Sequence, residues 1–140
     1  MSLVDVRSWT PAARSVAEAA RRFLIDVCAT HGALPVTAIV ADHGDPGVQI
    51  RLRFGGGEVE GSVSARGDDE DVCAEVASCL QGVVADHLLG WPECPGHGHP
   101  ARSERLAGGA VWLCPAEGEA RFAVPIGHYP HPDVAANVAS

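Results

Sequence analysis

Two short segments in the C-terminal part of the chain combine cysteine, proline and a potential metal ligand at the same spacing. Cys94 is followed by Pro-Gly-His97-Gly, and Cys114 is followed by Pro-Ala-Glu117-Gly. Two ligands three positions apart can turn inward onto one tetrahedral ion, and the proline and glycine favour the tight turn that this requires. The pattern therefore indicates the binding of one divalent metal ion, with Zn²⁺ as the expected cofactor.

The fourth ligand of this site has two main candidates. His99 follows His97 after a single flexible glycine, so both imidazoles could reach one ion, whereas Glu117 holds the matching place in the second segment. Beside two thiolates, imidazole is a better zinc ligand than carboxylate. His128 is a more remote candidate. The favoured metal ligands are Cys94, His97, His99 and Cys114.

Residues 91–127, about a quarter of the chain, resemble a zinc ribbon, in which two CPxCG knuckles are joined by a β-hairpin. The resemblance implies that Cys94 and Cys114 hold the leading cysteine positions. It also implies that His97 and Glu117 stand where the second cysteines are usual, which is a departure from the pattern. The whole chain also looks like a family of short proteins from GC-rich bacteria with a WPxCPxHxHP…WxCP signature, a likeness that implies no activity.

Two amphipathic helices are predicted to flank the elements that position this site. Residues 10–31 repeat apolar side chains at helical spacing, with Thr10 as the N-cap. A second helix begins after Asp68 or Asp69 and ends at Gly90. The acidic cluster at its start is interpreted as a helix cap, because consecutive carboxylates point around a helix and do not converge on one ion.

Between the helices, three strands are expected to form an antiparallel meander. Residues 35–41 are apolar and β-branched, whereas residues 48–54 and 58–65 alternate apolar with polar side chains. The turn-forming stretch 42–47 and three consecutive glycines separate these segments.

The register of the second and third strands can be predicted from parity, because apolar residues of both strands must share one face. A two-residue turn at 55–56 meets this condition and places Arg53 opposite Glu58 and Arg51 opposite Glu60. A four-residue loop also keeps the parity but retains only the pair of Arg53 with Glu60. We favour the shorter turn because it joins two pairs of opposite charges.

The expected fold class is α+β: an α-β-β-β-α order with an antiparallel meander sheet, followed by a small zinc-ribbon-like β-hairpin module. Composition changes at Trp91, since seven of the ten prolines and four of the seven histidines lie beyond it. We therefore predict a domain at 1–90, the zinc-ribbon-like module at 91–128 and a tail at 129–140. Trp91 and Trp112 are expected to be buried. Three cysteines are interpreted as small core residues: Cys28, Cys73 and Cys79.

Charge and composition narrow the classes of function. Ten basic against 18 acidic residues give a net charge of −8, which disfavours binding to nucleic acid and to anionic membranes. No run of about 18 apolar residues and no signal-peptide pattern is present, so we expect a cytoplasmic protein with reduced cysteines. The chain also lacks the phosphate-binding, dinucleotide-binding and nucleophile-elbow motifs.

The function inferred from the sequence is that of a non-enzymatic binding or adaptor protein with a structural zinc site, engaging another protein. The alternative is a small zinc-dependent hydrolytic enzyme. In that enzyme three ligands, Cys94, His97 and Cys114, would leave the fourth position to a metal-activated water, with Glu117 or His99 as general base. Nucleic-acid binding through a zinc ribbon is a third hypothesis, which the sequence favours less because acidic residues surround the few arginines of this region.

Overall fold

The computed structural model describes residues 4–31, 37–42, 44, 47–54, 57–84, 90–94, 99–114 and 123–129. The fold class is α+β, with two helices and two sheets in the described part of the chain. The elements are β1 (Val4–Val6), α1 (Pro11–His31), β2 (Thr37–Asp42), β3 (Val48–Phe54), β4 (Gly57–Val63), α2 (Asp69–Val83), β5 (Arg102–Leu106), β6 (Gly109–Leu113) and β7 (Ala123–Pro125). In those ranges, no helix is long and apolar enough to cross a membrane.

The first sheet has the strand order β1-β2-β3-β4. Strands β2, β3 and β4 form the expected antiparallel meander. The edge strand β1 was not predicted: it pairs in parallel with β2, and α1 is the connection between them. The N-terminal part of the fold is therefore β-α-β-β-β-α, with one strand more than the sequence predicts.

The predicted register of the β3–β4 hairpin is confirmed. Phe54 pairs with Gly57, which leaves a two-residue connection, and Arg53 lies opposite Glu58 while Arg51 lies opposite Glu60. The Arg53 Nε atom is 2.9 Å from a Glu58 carboxylate oxygen, and the Arg51 Nε atom is 3.8 Å from Glu60. Parity and charge pairing therefore sufficed to choose between the two turns.

Both helices begin where the sequence predicts. The Thr10 hydroxyl accepts a hydrogen bond of 3.1 Å from the Ala13 N–H. Asp68 is the N-cap of α2 and forms a capping box with Asp71, in which each side chain accepts from the other residue's backbone N–H. The acidic cluster thus serves as a helix cap, as expected.

The end of α2 differs from the prediction. The helix ends at Val83, whereas the sequence predicts that it continues to Gly90. The Gln81 side chain donates to the carbonyls of Trp91 and Ala101, at 3.2 and 2.7 Å, so the following segment returns alongside the last turn of the helix. These tertiary contacts outweigh the apolar periodicity that suggested a longer helix. The predicted continuation through residues 85–89 lies outside the described residues.

The second sheet has the order β5-β6-β7 and is antiparallel throughout. The sequence predicts a hairpin in this region but not the third strand. The sheet is tied to α2 by polar contacts: the Ser103 hydroxyl donates to the Ala74 carbonyl at 3.1 Å, and the Ala110 N–H donates to Glu70 at 3.0 Å. Tertiary hydrogen bonds therefore fix the position of the sheet against the helix.

One hydrophobic core joins both sheets and both helices in the described part of the chain. Phe23 of α1, Ile50 of β3 and Trp112 of β6 are fully buried within it. The burial of both C-terminal tryptophans is confirmed, since Trp91 is also buried. Of the three cysteines expected in the core, Cys73 is buried, and Cys28 and Cys79 are half-buried. The predicted boundary at residue 90 stays a prediction, although residues on its two sides share this core.

The close approach of α2 to β4 depends on a glycine. A Cβ atom built at Gly61 would lie 2.5 Å from the Cys79 Sγ atom, well inside van der Waals contact. We expect Gly61→Ala to lower the free energy of unfolding by about 1–3 kcal/mol through overpacking. In a Cys79→Ala background most of this loss should disappear, which a double-mutant cycle by chemical denaturation measures.

Gly82 provides the matched control, because a Cβ at this helical position meets no atom within 4 Å. Gly82→Ala should raise the free energy of unfolding by about 0.5–1 kcal/mol, the usual difference between alanine and glycine inside a helix. Equal costs of Gly61→Ala with and without the Cys79 thiol would show that this contact does not set the helix-to-sheet distance.

Candidate metal centre

A short antiparallel pairing of residues 92–94 with residues 99–101, called the hairpin below, brings Cys94 and His99 together. The Cys94 N–H donates to the His99 carbonyl at 3.0 Å, and the Ala101 N–H donates to the Pro92 carbonyl at 2.6 Å. Glu93 and Pro100 form the bridge between these two hydrogen bonds. Because the backbones of Cys94 and His99 are hydrogen-bonded across the hairpin, their side chains originate close to each other.

Cys114 reaches the same place from the second sheet. It directly follows Leu113, the last residue of β6, which pairs with Arg102 on β5 and Ala123 on β7. Cys114 thus follows the central strand of the sheet, which has a partner strand on each side. The position of this thiol is set by a strand ladder and not by a free loop.

The three side chains converge with the geometry of a metal site. The Cys94 and Cys114 sulfurs and a His99 ring nitrogen all lie within 4.8 Å of one another. The Cys114 Sγ atom is 3.9 Å from the His99 Nε2 atom, close to the separation of about 3.6 Å that a tetrahedral zinc ion gives sulfur and nitrogen ligands. Both thiols are buried and His99 is half-buried.

The pKa of Cys94 indicates how a bound cation would change the ionisation of the cysteine ligands. Burial, together with the neighbouring Cys114 thiol, raises the pKa of Cys94 to about 12. The Cys94 thiol therefore resists ionisation on its own. A divalent cation between them would stabilise the thiolate forms, since metal binding and thiol deprotonation are coupled.

Three of the four ligands favoured from the sequence are therefore brought together: Cys94, His99 and Cys114. His97 and the competing Glu117 lie outside the described residues. His128 is described and exposed, and it does not belong to the group of converging ligand atoms. The preference for His99 as a ligand agrees with this placement, while the identity of the fourth ligand stays a prediction.

An aromatic cluster packs where the hairpin meets the helices. The Trp91 ring contacts Phe23 and Trp112 edge-to-face, with ring centroids 5.2 and 5.5 Å apart, and the indole N–H of Trp91 donates to the Thr30 hydroxyl at 2.8 Å. Trp91 lies three residues before Cys94, and Trp112 lies two residues before Cys114. The cluster therefore fixes both cysteine-bearing segments against α1.

A buried carboxylate on α1, missed in the sequence analysis, holds the same segments. Asp26 is fully buried, and its oxygens accept hydrogen bonds from the Trp112 indole N–H at 2.7 Å, the Gly127 N–H at 2.8 Å and the Tyr129 N–H at 2.9 Å. A signal was available: Asp26 lies three residues after Phe23, on the apolar stripe of an otherwise regular amphipathic helix. An acid at such a position needs buried donors.

Tyr129 connects these Asp26 hydrogen bonds, called the Asp26 clamp below, to the hairpin that carries Cys94 and His99. Its hydroxyl donates to the carbonyl of Glu93, the residue before Cys94. The sequence predicts that Tyr129 begins a C-terminal tail, but this prediction is wrong for Tyr129, whose side chain is buried in the core. Asp26 and Tyr129 together connect α1 to the backbone that carries the first cysteine, so part of the site's geometry exists without a metal ion.

No protein-family model matches this chain, and no curated protein matches it in sequence. The likeness to a zinc ribbon and to short proteins of GC-rich bacteria therefore stays a prediction. The function must be argued from the geometry of the site itself.

The Asp26 clamp predicts a distinctive dependence of stability on pH. Burial raises the pKa of the Asp26 carboxyl above its ordinary value of 3.8, against the opposing effect of its three N–H donors. The contribution of this group to the free energy of unfolding is fully present below pH 3.8, and it is lost as pH rises through the higher pKa of the folded state. Asp26→Asn removes this loss, so the free energy of unfolding of the variant should change more positively with pH than that of the parent protein as pH rises above 3.8.

Glu70 is the matched control of opposite sign. The Arg22 guanidinium and the Ala110 N–H lower the pKa of this carboxyl, so its contribution is present above the ordinary pKa and is lost as pH falls. In Glu70→Gln the free energy of unfolding should therefore rise less with pH than in the parent protein. Denaturant titrations of metal-free protein at several pH values measure this dependence. Equal slopes for Asp26→Asn and the parent protein would refute the assigned effect of burial.

Proposed function

We propose that this chain is a non-enzymatic binding protein whose C-terminal region is held by a structural Zn²⁺ ion in an arrangement related to a zinc ribbon. The convergence of Cys94, His99 and Cys114, with all three ligand atoms within 4.8 Å of one another, carries the proposal. Two thiols and an imidazole suit zinc better than calcium or magnesium, which prefer oxygen ligands.

The proposed fourth ligand is His97. It precedes His99 by two residues, and the intervening Gly98 allows both imidazoles to face one ion. Two thiolates and two neutral imidazoles give a formally neutral zinc centre, whereas Glu117 in the fourth place would leave one negative charge. Neutrality favours His97, because an uncompensated charge is costly to place near buried sulfurs.

A structural role follows from what the ion would connect. Cys94 and His99 lie on the paired segments 92–94 and 99–101, and Cys114 directly follows the central strand of the second sheet. An ion bound by all three would tie the hairpin to the sheet. Because both cysteines are buried, the ion would also be shielded on the thiolate side, as in closed structural sites.

We also propose a reducing, cytoplasmic location and a protein partner. All five cysteines are free thiols, and zinc coordination by Cys94 and Cys114 requires them to stay reduced. The net charge of −8 does not suit nucleic acid as a partner.

Metal content provides the first test of the zinc site. The purified protein is expected to carry about one zinc ion per chain, and a strong chelator should lower its melting temperature, since binding energy contributes to folding. Cys94→Ser and His99→Ala should each lose most of the zinc, as measured by elemental analysis and thermal unfolding.

Two residues outside the group of converging ligands provide matched controls. Cys28→Ser and His128→Ala change the same residue types without touching that group, so both variants should keep the full zinc content. A parent protein that is metal-free, and that melts at the same temperature with and without chelator, would rule out the proposed centre.

The fourth ligand can be tested independently. His97→Ala should lower the affinity for zinc by about 10–100-fold or more, because it opens one coordination position, whereas Glu117→Gln should leave the affinity unchanged. Competition with a chromophoric chelator measures both affinities, and Co²⁺ substitution reports whether the ion stays tetrahedral. A loss of affinity confined to Glu117→Gln would assign the fourth place to the carboxylate.

A further inference from the structure

Tyr129 is hydrogen-bonded at both of its ends, next to the first cysteine ligand. Its side chain is buried, and its backbone N–H donates to the Oδ1 atom of Asp26 at 2.9 Å. Its hydroxyl donates to the carbonyl of Glu93. Tyr129 therefore links a buried carboxylate of α1 to the peptide group that joins Glu93 to Cys94.

Both polar groups of that peptide are held by hydrogen bonds. The carbonyl accepts from the Tyr129 hydroxyl, and the N–H, which belongs to Cys94, donates to the His99 carbonyl at 3.0 Å. A peptide unit is planar and includes the Cα atoms at its two ends. Two hydrogen bonds on opposite edges of this plane restrict its rotation. They therefore also restrict the direction in which the Cys94 side chain leaves the backbone.

The Tyr129 hydroxyl keeps its proton in these surroundings. Burial raises the pKa of Tyr129 above its usual value, and negative charge on Cys94 and on Cys114 raises it further. Ionisation of the two thiols on metal binding would thus strengthen the hydroxyl as a neutral donor. Its hydrogen bond to the Glu93 carbonyl would persist in the metal-bound protein.

Asp26 extends the connection to the second cysteine ligand. Its Oδ1 atom accepts from the Tyr129 N–H, and its Oδ2 atom accepts from the Trp112 indole N–H at 2.7 Å. Trp112 lies two residues before Cys114 on the same strand. Because both oxygens belong to one rigid carboxylate, the two cysteine-bearing segments are held relative to each other by side chains that are not metal ligands.

We propose that Tyr129 is a positioning residue of the metal centre, which sets the affinity for zinc through the Glu93 carbonyl and acts in series with Asp26. The inference rests on the zinc site proposed above, and it adds residues outside the ligand set that determine how tightly the ion is held. Removal of a group that orients a metal ligand typically lowers the metal affinity by about 10–100-fold.

Tyr129→Phe tests the role of the hydroxyl, because it removes the donor and keeps the ring. The zinc affinity of the full chain, measured by competition with a chromophoric chelator, should fall by about 10–100-fold. Co²⁺ spectra should still show a tetrahedral site with thiolate ligands, because every proposed ligand remains.

Melting temperatures separate positioning from a general effect on the fold. The gain in melting temperature on adding zinc depends on the dissociation constant of the metal, so this gain should be smaller in Tyr129→Phe than in the parent protein. A hydroxyl that stabilised only the fold would lower the melting temperatures of metal-free and zinc-loaded protein alike, and the gain would stay the same.

Ser103→Ala is the matched control. It also removes a hydroxyl that donates to a backbone carbonyl, that of Ala74 at 3.1 Å, but this bond joins β5 to α2. The zinc affinity of this variant should stay within about twofold of the parent value, since sites without a shared partner act independently.

Asp26→Asn tests the arrangement in series and provides a second variant. The Oδ2 atom accepts from two N–H groups, those of Trp112 and Gly127, and Oδ1 accepts from that of Tyr129. An asparagine keeps more hydrogen bonds with its oxygen in the Oδ2 place, and its NH₂ group then faces the Tyr129 N–H. Asp26→Asn should therefore lower the zinc affinity by itself, and Tyr129→Phe should cost less affinity in this background than in the parent protein.

The results distinguish this inference from the zinc site on which it rests. A parent protein that binds neither zinc nor cobalt would overturn both. A zinc-binding parent in which Tyr129→Phe loses no more affinity than Ser103→Ala would overturn the positioning role and leave the metal centre standing. Full additivity of the Tyr129→Phe and Asp26→Asn losses would overturn the arrangement in series.

Discussion

The arrangement of the C-terminal region depends on the burial of one carboxylate. Asp26 is the only buried charged residue in the described part of the chain, and burying such a group costs several kcal/mol unless donors replace its water. Its donors come from Trp112 on β6 and from Gly127 and Tyr129 after β7, all within 2.9 Å. These donors satisfy the carboxylate together only in one relative placement of α1 and the second sheet. The aromatic packing and the position of the cysteine-bearing segments follow from that placement.

The Asp26 contacts and the proposed zinc ion hold the same cysteine-bearing segments. Through Tyr129, the carboxylate is connected to the carbonyl of Glu93, next to the first cysteine. The hairpin is also held by its own hydrogen bonds and by Gln81 of α2. Much of the ligand geometry is therefore set by protein contacts before a metal binds. In such a site the ion has less chain to order than in an isolated zinc finger, so more of its binding energy is available as affinity.

The features that the sequence predicts correctly depend on neighbouring residues or on parity. The cap at Thr10 and the capping box of Asp68 require only contacts within one helical turn. The Arg53–Glu58 register follows because a shift of one residue would expose the apolar face. The grouping of Cys94 with Cys114 across 20 residues was accessible for another reason, since both cysteines begin the same Cys-Pro pattern with a potential metal ligand three residues later.

The features that the sequence does not predict depend on distant partners. Strands β1 and β7 have three residues each, too few to show a period of two, and β1 pairs with residues 34 positions later. The early end of α2 is set by Gln81 contacts to residues 10 and 20 positions away. Asp26 has donors 86 to 103 residues away, so only its place on the apolar stripe of α1 marks it locally. An ionisable group that interrupts an apolar stripe breaks the local rule of polar outside and apolar inside. Such a position persists only where the fold compensates for it, as the three N–H donors do for Asp26.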